Sequence, residues 1–315
     1  MDISRLTVDI GLDMLFGSAN SFSPDKDIPS LDGKVIVVTG GNNGIGKETI
    51  LRLAKHNPAS IYLCSRDLAR GEAAAGDMRS AVPTAQVKIL QLDLASLKSV
   101  AAAAASFNGQ ADRLDILINN AGIMGVPAGK TAEGYEIQLG TNHLGHALLT
   151  KLLLPTMLKT SEEKGGDVRI LNLSSGAHLR AAAPGFDPKD MDMENASPLA
   201  RYSRSKLANV LFAKQLATRY PQITSVSLHP GVIKTDLFTP VMMSNRALGM
   251  LSSTFGFLVY KTVEEGAKNS LWAATVPKDK LVNGGYYNPV GQKNDGSAFA
   301  RDQKMAESLW QWTED

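Results

Sequence analysis

Thr39-Gly40-Gly41-Asn42-Asn43-Gly44-Ile45-Gly46-Lys47 is the stretch on which the fold turns. It follows the apolar run Val35-Ile36-Val37-Val38, which has the β-branched content of a buried strand, and leads into a pattern with helical spacing. Glycines at 40, 44 and 46 permit a tight turn and let backbone N–H groups approach a pyrophosphate. The helix that follows adds the positive end of its dipole. Gly41 to Lys47 also matches GxxxxGK, the opening of a nucleoside-triphosphate loop. That loop needs Ser or Thr next, to place a hydroxyl on Mg²⁺; here Glu48 follows, and its charge would face the triphosphate. A dinucleotide suits the stretch better.

Outward from this loop, short apolar runs alternate with longer helical patterns. Strands are predicted at Val35–Thr39, Ser60–Cys64, Val87–Leu92, Ile116–Asn119, Val168–Leu173, Thr224–Leu228 and Tyr286–Asn288. Helices are predicted near 45–56, 67–81, 95–107, 132–159, 202–219 and 262–275. Most of the strands are apolar on both faces, as parallel strands covered by helices on two sides should be. The alternation predicts an α/β fold: one domain with a doubly wound parallel sheet of about seven strands, helices on both faces, and ligands at the carboxyl ends of the strands. Residues 1–30 read as an N-terminal extension, with turn signals at Ser23-Pro24-Asp25 and Ile28-Pro29-Ser30, and residues 31–315 as the domain.

The end of the second strand speaks to the type of dinucleotide. An acidic residue about 20 positions past the glycines would bind the ribose 2′-hydroxyl of NAD. This chain has Cys64-Ser65-Arg66-Asp67, with Arg66 twenty positions past Gly46. A guanidinium there can bind a 2′-phosphate in bidentate fashion, and Ser65 can add a contact. Asp67 is read as the cap of the next helix. The expected cofactor is therefore NADP(H).

Composition narrows the remaining classes. The chain has 315 residues, 43% hydrophobic and 20% charged, with a net charge of +2. That charge is too small for a nucleic-acid footprint, and no basic run is interleaved with aromatics. The one cysteine, Cys64, excludes an internal disulfide and fits a reducing, cytoplasmic setting as a buried structural thiol. Asp2, Asp9 and Asp13 interrupt what a secretory leader would keep apolar, and no run offers about 20 apolar residues for a spanning helix. The matches to the glycosylation pattern at Asn172 and Asn195 are read as chance. Pairing into a homodimer is left open.

Tyr202-Ser203-Arg204-Ser205-Lys206 sets a phenol and an ammonium four residues apart on one helical face. An unperturbed phenol has a pKa near 10, poorly placed for proton transfer at neutral pH. A neighbouring ammonium is expected to favour the phenolate, and an oxidised nicotinamide to add to the effect. Upstream, Ser174 and Ser175 end a predicted strand, where a hydroxyl can orient a substrate oxygen.

With these motifs in order, the chain resembles the short-chain dehydrogenase/reductase family from about Leu31 to Pro289. The matching segments are the 39–46 loop, Leu92-Asp93-Leu94, Asn119-Asn120-Ala121-Gly122, Asn142, Ser174-Ser175, Tyr202-x-x-x-Lys206 and Pro230-Gly231. The resemblance implies a Rossmann-type fold and a catalytic tetrad. Tyr202 would be the general acid/base, Ser175 the anchor of the substrate oxygen, Lys206 the ribose binder and modulator of Tyr202, and Asn142 the holder of a relay water. It favours Ser175 over Ser174. The cofactor would lie along Gly40, Asn42, Asn43, Gly44, Ile45, Gly46, Ser65, Arg66, Asp93, Leu94, Asn120, Ala121, Gly122, Tyr202, Lys206, Pro230, Gly231, Val232, Ile233 and Thr235. Asp93 would meet the adenine, Asn119 support the cofactor region, and Thr235 contact the nicotinamide carboxamide.

The long interval between Ser175 and Tyr202, including Gly185-Phe186-Asp187-Pro188, resembles retinol-dehydrogenase-like and related fungal reductases. So do Asn142-His143-Leu144-Gly145-His146 and Ser205-Lys206-Leu207-Ala208-Asn209. His143 and His146 stand three apart, but lack a carboxylate or cysteine nearby in sequence, so packed histidines rather than a metal site are expected. By resemblance, residues 236–260 cover the substrate. Their content of Leu, Phe and Met suits a lipophilic or aromatic substrate, and equally a core, a membrane surface or a partner subunit.

The leading expectation is an NADPH-dependent reductase of a small-molecule ketone or aldehyde, or the reverse alcohol dehydrogenase, in secondary or lipid metabolism. A nucleotide-sensing scaffold on the same fold is the second reading, and a redox-neutral epimerase or dehydratase the third. A scaffold has no need of Ser175, Tyr202 and Lys206.

Overall fold

The computed structural model describes residues 21–163, 166–233 and 261–315. Thr235 and the 236–260 segment lie outside the described residues, as do residues 1–20.

One eight-stranded sheet organises the chain, in the order β3-β2-β1-β4-β5-β6-β7-β8. The strands are β1 Val35–Thr39, β2 Ser60–Ser65, β3 Val87–Gln91, β4 Ile116–Asn119, β5 Arg169–Leu173, β6 Thr224–Leu228, β7 Tyr286–Asn288 and β8 Gln292–Asn294. The first seven pair in parallel and match the predicted runs to within a residue; β8 pairs antiparallel with β7. The count is eight rather than about seven because β8, Gln-Lys-Asn on the sheet edge, is too short and polar to carry a strand signal. β1 pairs with both β2 and β4, so the winding reverses there and a crevice opens beyond the carboxyl ends of these two strands.

Parallel strands need both faces covered, and β1 shows how the sequence meets this. Ile36 and Val38 point into one apolar layer with Ile61, Leu63, Ile50, Leu53 and Leu271. Val35 and Val37 point into the other, with Tyr62, Cys64, Phe107, Leu149 and Leu153. Helices α1 Gly44–Ala54 and α6 Val263–Thr275 form the first layer; α3 Leu97–Asn108 and α4 Gly145–Glu162 form the second. Helices α2 Leu68–Ala81 and α5 Pro198–Arg219 complete the crossovers. Each buried Leu or Ile contributes about 1.5–3 kcal/mol relative to exposure. Phe22, Ile28 and Leu31 are buried in the first layer, so the chain is already packed against it before β1 begins.

Three departures from the predicted helices bear on function. The pattern at 132–159 is not one helix: a short turn Ile137–Leu139 and a π-turn Gly140–Leu144 precede α4, and the π-turn carries Asn142. A local widening of this kind often marks a functional site. α5 starts at Pro198, four residues before Tyr202, because Ser197 caps it by accepting from the Ala200 N–H at 3.2 Å. A C-terminal helix α7, Gln303–Glu314, was not foreseen; Trp310 stacks on Phe212 of α5 with ring centres 5.7 Å apart.

Candidate active site

A cleft of about 500 Å³ lies over the carboxyl ends of the strands. Its walls bring together nearly every sequence-predicted residue: Gly40, Asn42, Asn43, Gly44, Ile45 and Gly46 from the β1–α1 loop, Ser65 and Arg66 after β2, and Asp93 and Leu94 after β3. Asn120, Ala121 and Gly122 follow β4, Ser175 follows β5, Tyr202 and Lys206 come from α5, and Pro230, Gly231, Val232 and Ile233 follow β6. Three predicted residues stand apart, Asn119 under the floor among them. Asn142 is fully buried behind the wall, and Thr235 is not among the described residues.

The glycine loop fits a pyrophosphate. Gly40 has φ +65°, and a Cβ on Gly46 would strike the Gly40 carbonyl oxygen, so side chains are excluded where the turn closes. The first turn of α1 has no side-chain cap from Asn43, which leaves its backbone donors to a ligand. Lys47 instead pairs with Asp77 of α2 and is not on the cleft wall, and Glu48 pairs with Arg52; the triphosphate reading therefore lacks its loop lysine in the cleft.

At the end of β2 the roles separate. Asp67 accepts from the Arg70 N–H at 3.1 Å and caps α2, as expected. Arg66 is exposed on the cleft wall. Ser65 lines the cleft too, but its hydroxyl donates to the Asp67 carbonyl at 2.8 Å, so its proton is already committed. Asp93 likewise accepts from the Ala95 N–H at 3.0 Å with one carboxylate oxygen, in a local turn. Asn119 is buried under the floor, donating to Thr150 and Asn172 at 3.1 and 3.0 Å.

Around Tyr202 the hydroxyls sort themselves by partner. Ser174 donates to the Lys206 carbonyl at 2.7 Å and is used within the fold. Ser175 accepts from the Ala177 N–H at 3.1 Å, and its hydroxyl hydrogen-bonds to Tyr202 within the cleft. Lys206 Nζ donates to the Leu173 carbonyl at 3.0 Å and lies 5.7 Å from the centre of the Tyr202 ring. Burial pulls Lys206 down to about 8. Burial also pushes Tyr202 up to about 12, with Ser175 working against the rise. In the protein without cofactor, loss of water is thus the larger influence on the phenol, and Ser175 is the group that opposes it. At neutral pH the phenol keeps its proton.

Asn142 acts differently from a cleft-facing relay. Its amide donates to the Ile123 carbonyl and to Ser205 Oγ, both at 2.9 Å, and its Oδ1 accepts from the Ile123 N–H at 2.8 Å. The side chain thus clamps the loop after β4 to the start of α5. Its carbonyl faces His146 Nδ1 at 3.0 Å, while His146 Nε2 meets Thr39 Oγ1 at 2.8 Å. A carbonyl only accepts, so Nδ1 carries the proton and Nε2 takes that of Thr39. Thr39 Oγ1 then accepts from the N–H groups of Asn120 and Ala121, both at 2.9 Å. Burial lowers His146 to about 4, which keeps this arrangement neutral. His143 binds Thr313 of α7 at 2.9 Å. Sequence reasoning quoted Thr39 in the loop without giving it a role, and missed the apolar wall of Ile123, Met124 and Val126, which carries no motif.

Comparison with known proteins agrees with the geometry. The family model for short chain dehydrogenase matches residues 34–187. The chain is 38% identical to a short-chain dehydrogenase/reductase of Aspergillus calidoustus, covering 91% of this chain and 95% of that protein. It is 41% identical to retinol dehydrogenase 12 of Homo sapiens, covering 89% and 85% respectively. Among solved structures, a protein of Mycobacterium Paratuberculosis superposes with TM-score 0.72 at 32% identity, covering 93% of this chain and 96% of that one. The Pseudomonas aeruginosa RhlG/NADP complex shares the fold at TM-score 0.66 and 22% identity, covering 86% and 98%.

Proposed function

The chain belongs to the short-chain dehydrogenase/reductase family, and from that premise we propose that it is an NADP(H)-dependent carbonyl reductase and alcohol dehydrogenase acting on a lipophilic ketone, aldehyde or alcohol. The observation that carries the proposal is the meeting of Ser175, Tyr202 and Lys206 in one cleft with the glycine loop and Arg66. The Gly40–Gly46 loop would hold the pyrophosphate on the N-terminus of α1, and Arg66 the 2′-phosphate. When bound, the nicotinamide supplies the hydride exchanged with the carbonyl carbon.

The protein's own part is to bind the carbonyl oxygen and give it a proton. The Ser175 hydroxyl, bonded to Tyr202 before substrate arrives, would turn to that oxygen, and Tyr202, protonated at neutral pH, would pass its phenolic proton to the developing alkoxide. Lys206, charged below its lowered pKa, would stabilise the tyrosinate that results and bind the ribose.

A lipophilic substrate is supported by the apolar wall of Ile123, Met124 and Val126 and by the name of the human relative, a retinol dehydrogenase. The buried, unreactive Cys64, pushed up to about 12 by burial, suits a cytoplasmic setting. NADPH consumption across a panel of apolar ketones, run beside NADH, tests the reading. Faster turnover with NADH would remove the NADP(H) assignment, and tight NADPH binding with no turnover on any carbonyl would remove the enzyme.

A further inference from the structure

Between Ser175 and Gly176 lies one peptide unit, and both of its polar ends are taken by imidazoles. The Ser175 carbonyl accepts from His178 Nδ1 at 2.7 Å, in addition to the His178 backbone N–H at 3.1 Å. The Gly176 N–H donates to His229 Nδ1 at 3.2 Å. A carbonyl can only accept and an N–H can only donate, so the two rings must be opposite tautomers: His178 protonated on Nδ1, His229 on Nε2.

Neither ring is loose. His178 is fully buried, with its ring edge-on to Tyr286 at 4.7 Å between centres. His229 is 5% exposed; its N–H donates to the Tyr287 carbonyl at 3.0 Å, and its own carbonyl accepts from Asn269 at 2.8 Å. The peptide that follows the reactive serine is thus braced from β7 and α6, elements far from it in sequence. Rotation of that peptide would swing Ser175, whose backbone is extended with φ −157° and ψ 155°. The mechanism proposed above gives these histidines no task.

We propose that His178 and His229 are positioning residues that grip the Ser175–Gly176 peptide from its two ends and so aim the Ser175 hydroxyl at the substrate oxygen. The proposal rests on the reductase reading for its consequence, though not for its geometry. A hydroxyl displaced by about 1 Å costs on the order of 100-fold in rate, so loss of either grip should show in turnover while the cofactor, held by other residues, stays bound.

Two measurements test it. In the native protein with ¹⁵N-labelled histidine, long-range ring correlations should show the Nδ1–H tautomer for His178 and the Nε2–H tautomer for His229; the reverse for either one overturns the proposal. In kinetics, His178→Leu and His229→Leu should each lower kcat/KM for the ketone by roughly 10- to 100-fold, with NADPH affinity within about twofold of native. The Asn variants, which place an amide N–H or oxygen near the Nδ1 position, should recover most of that loss. In a Ser175→Ala background the Leu substitutions should cost little more, because the effect runs through Ser175. Full additive losses in that background, or losses that Asn does not relieve, overturn it. If the native protein reduces no carbonyl, the reductase reading fails by itself, and the tautomers still decide whether the grip exists.

Discussion

The ammonium of Lys206 donates to the Leu173 carbonyl at 3.0 Å, and this bond ties the helix bearing Tyr202 to the end of β5, where Ser175 follows. Asn209, nearly one turn further along α5, donates to the same carbonyl at 2.9 Å. The acid, the anchor and the amine therefore share one rigid support rather than three loops.

From that arrangement the first prediction concerns the phenol. Tyr202→Phe keeps the buried ring and removes the proton that would go to the substrate oxygen. We expect kcat to fall by roughly 10²- to 10⁴-fold, the usual worth of a positioned acid, with NADPH binding retained in fluorescence titration. A variant with native turnover would show that the proton comes from elsewhere.

At the β2 end, Arg66 and Ser65 are expected to differ sharply despite lying side by side. Arg66→Ala should raise KM for NADPH by roughly 10- to 100-fold, since a hydrogen bond to a charged group contributes about 1.5–3 kcal/mol, and leave NADH kinetics nearly unchanged. Ser65→Ala should shift NADPH kinetics by less than about threefold, because its hydroxyl already serves the Asp67 carbonyl. Equal effects of the two substitutions would contradict this division.

Asp67 supplies the stability counterpart. Its carboxylate caps α2 through the Arg70 N–H, and a lost cap costs about 1 kcal/mol. Asp67→Ala should lower the melting temperature by a few degrees, and the ratio of NADPH to NADH efficiency should not move. A swing in that ratio would make Asp67 a cofactor residue instead of a cap.

How much of this the chain itself disclosed depends on the range of each interaction. The Gly40–Gly46 loop, the Asp67 cap and the Tyr202–Lys206 pair are local, so spacing alone reveals them. Val35 to Val38 announce a strand covered on both faces because alternate residues are all apolar. By contrast, β8 is a polar edge tripeptide, and α7 gains its place by stacking Trp310 on Phe212, 98 residues earlier in the chain. His178 and His229 meet across 51 residues, and no pattern in either neighbourhood foretells the peptide they share. The burial that raises Tyr202 is hidden for the same reason: the nearby amine is visible in sequence, whereas burial is a property of the finished fold.

That burial gives a pH dependence whose sign can be worked out. Folded Lys206 releases its proton near 8, while an unfolded lysine holds it to about 10.5. Below pH 8 both states are protonated, so this group contributes no slope. Between about 8 and 10.5 the unfolded chain binds the extra proton, and the Lys206 contribution to stability therefore rises with pH. Activity should move the other way, since a neutral amine no longer stabilises the tyrosinate or binds the ribose with its charge. Measured as kcat/KM for NADPH, which reports the free enzyme, activity should fall about tenfold per pH unit above pH 8. Over the same range Lys206→Met, relative to the native protein, should lose the upward slope in denaturant stability. Activity that holds level to pH 10, or falls only in step with unfolding, would mean that the charge on Lys206 does not govern this site.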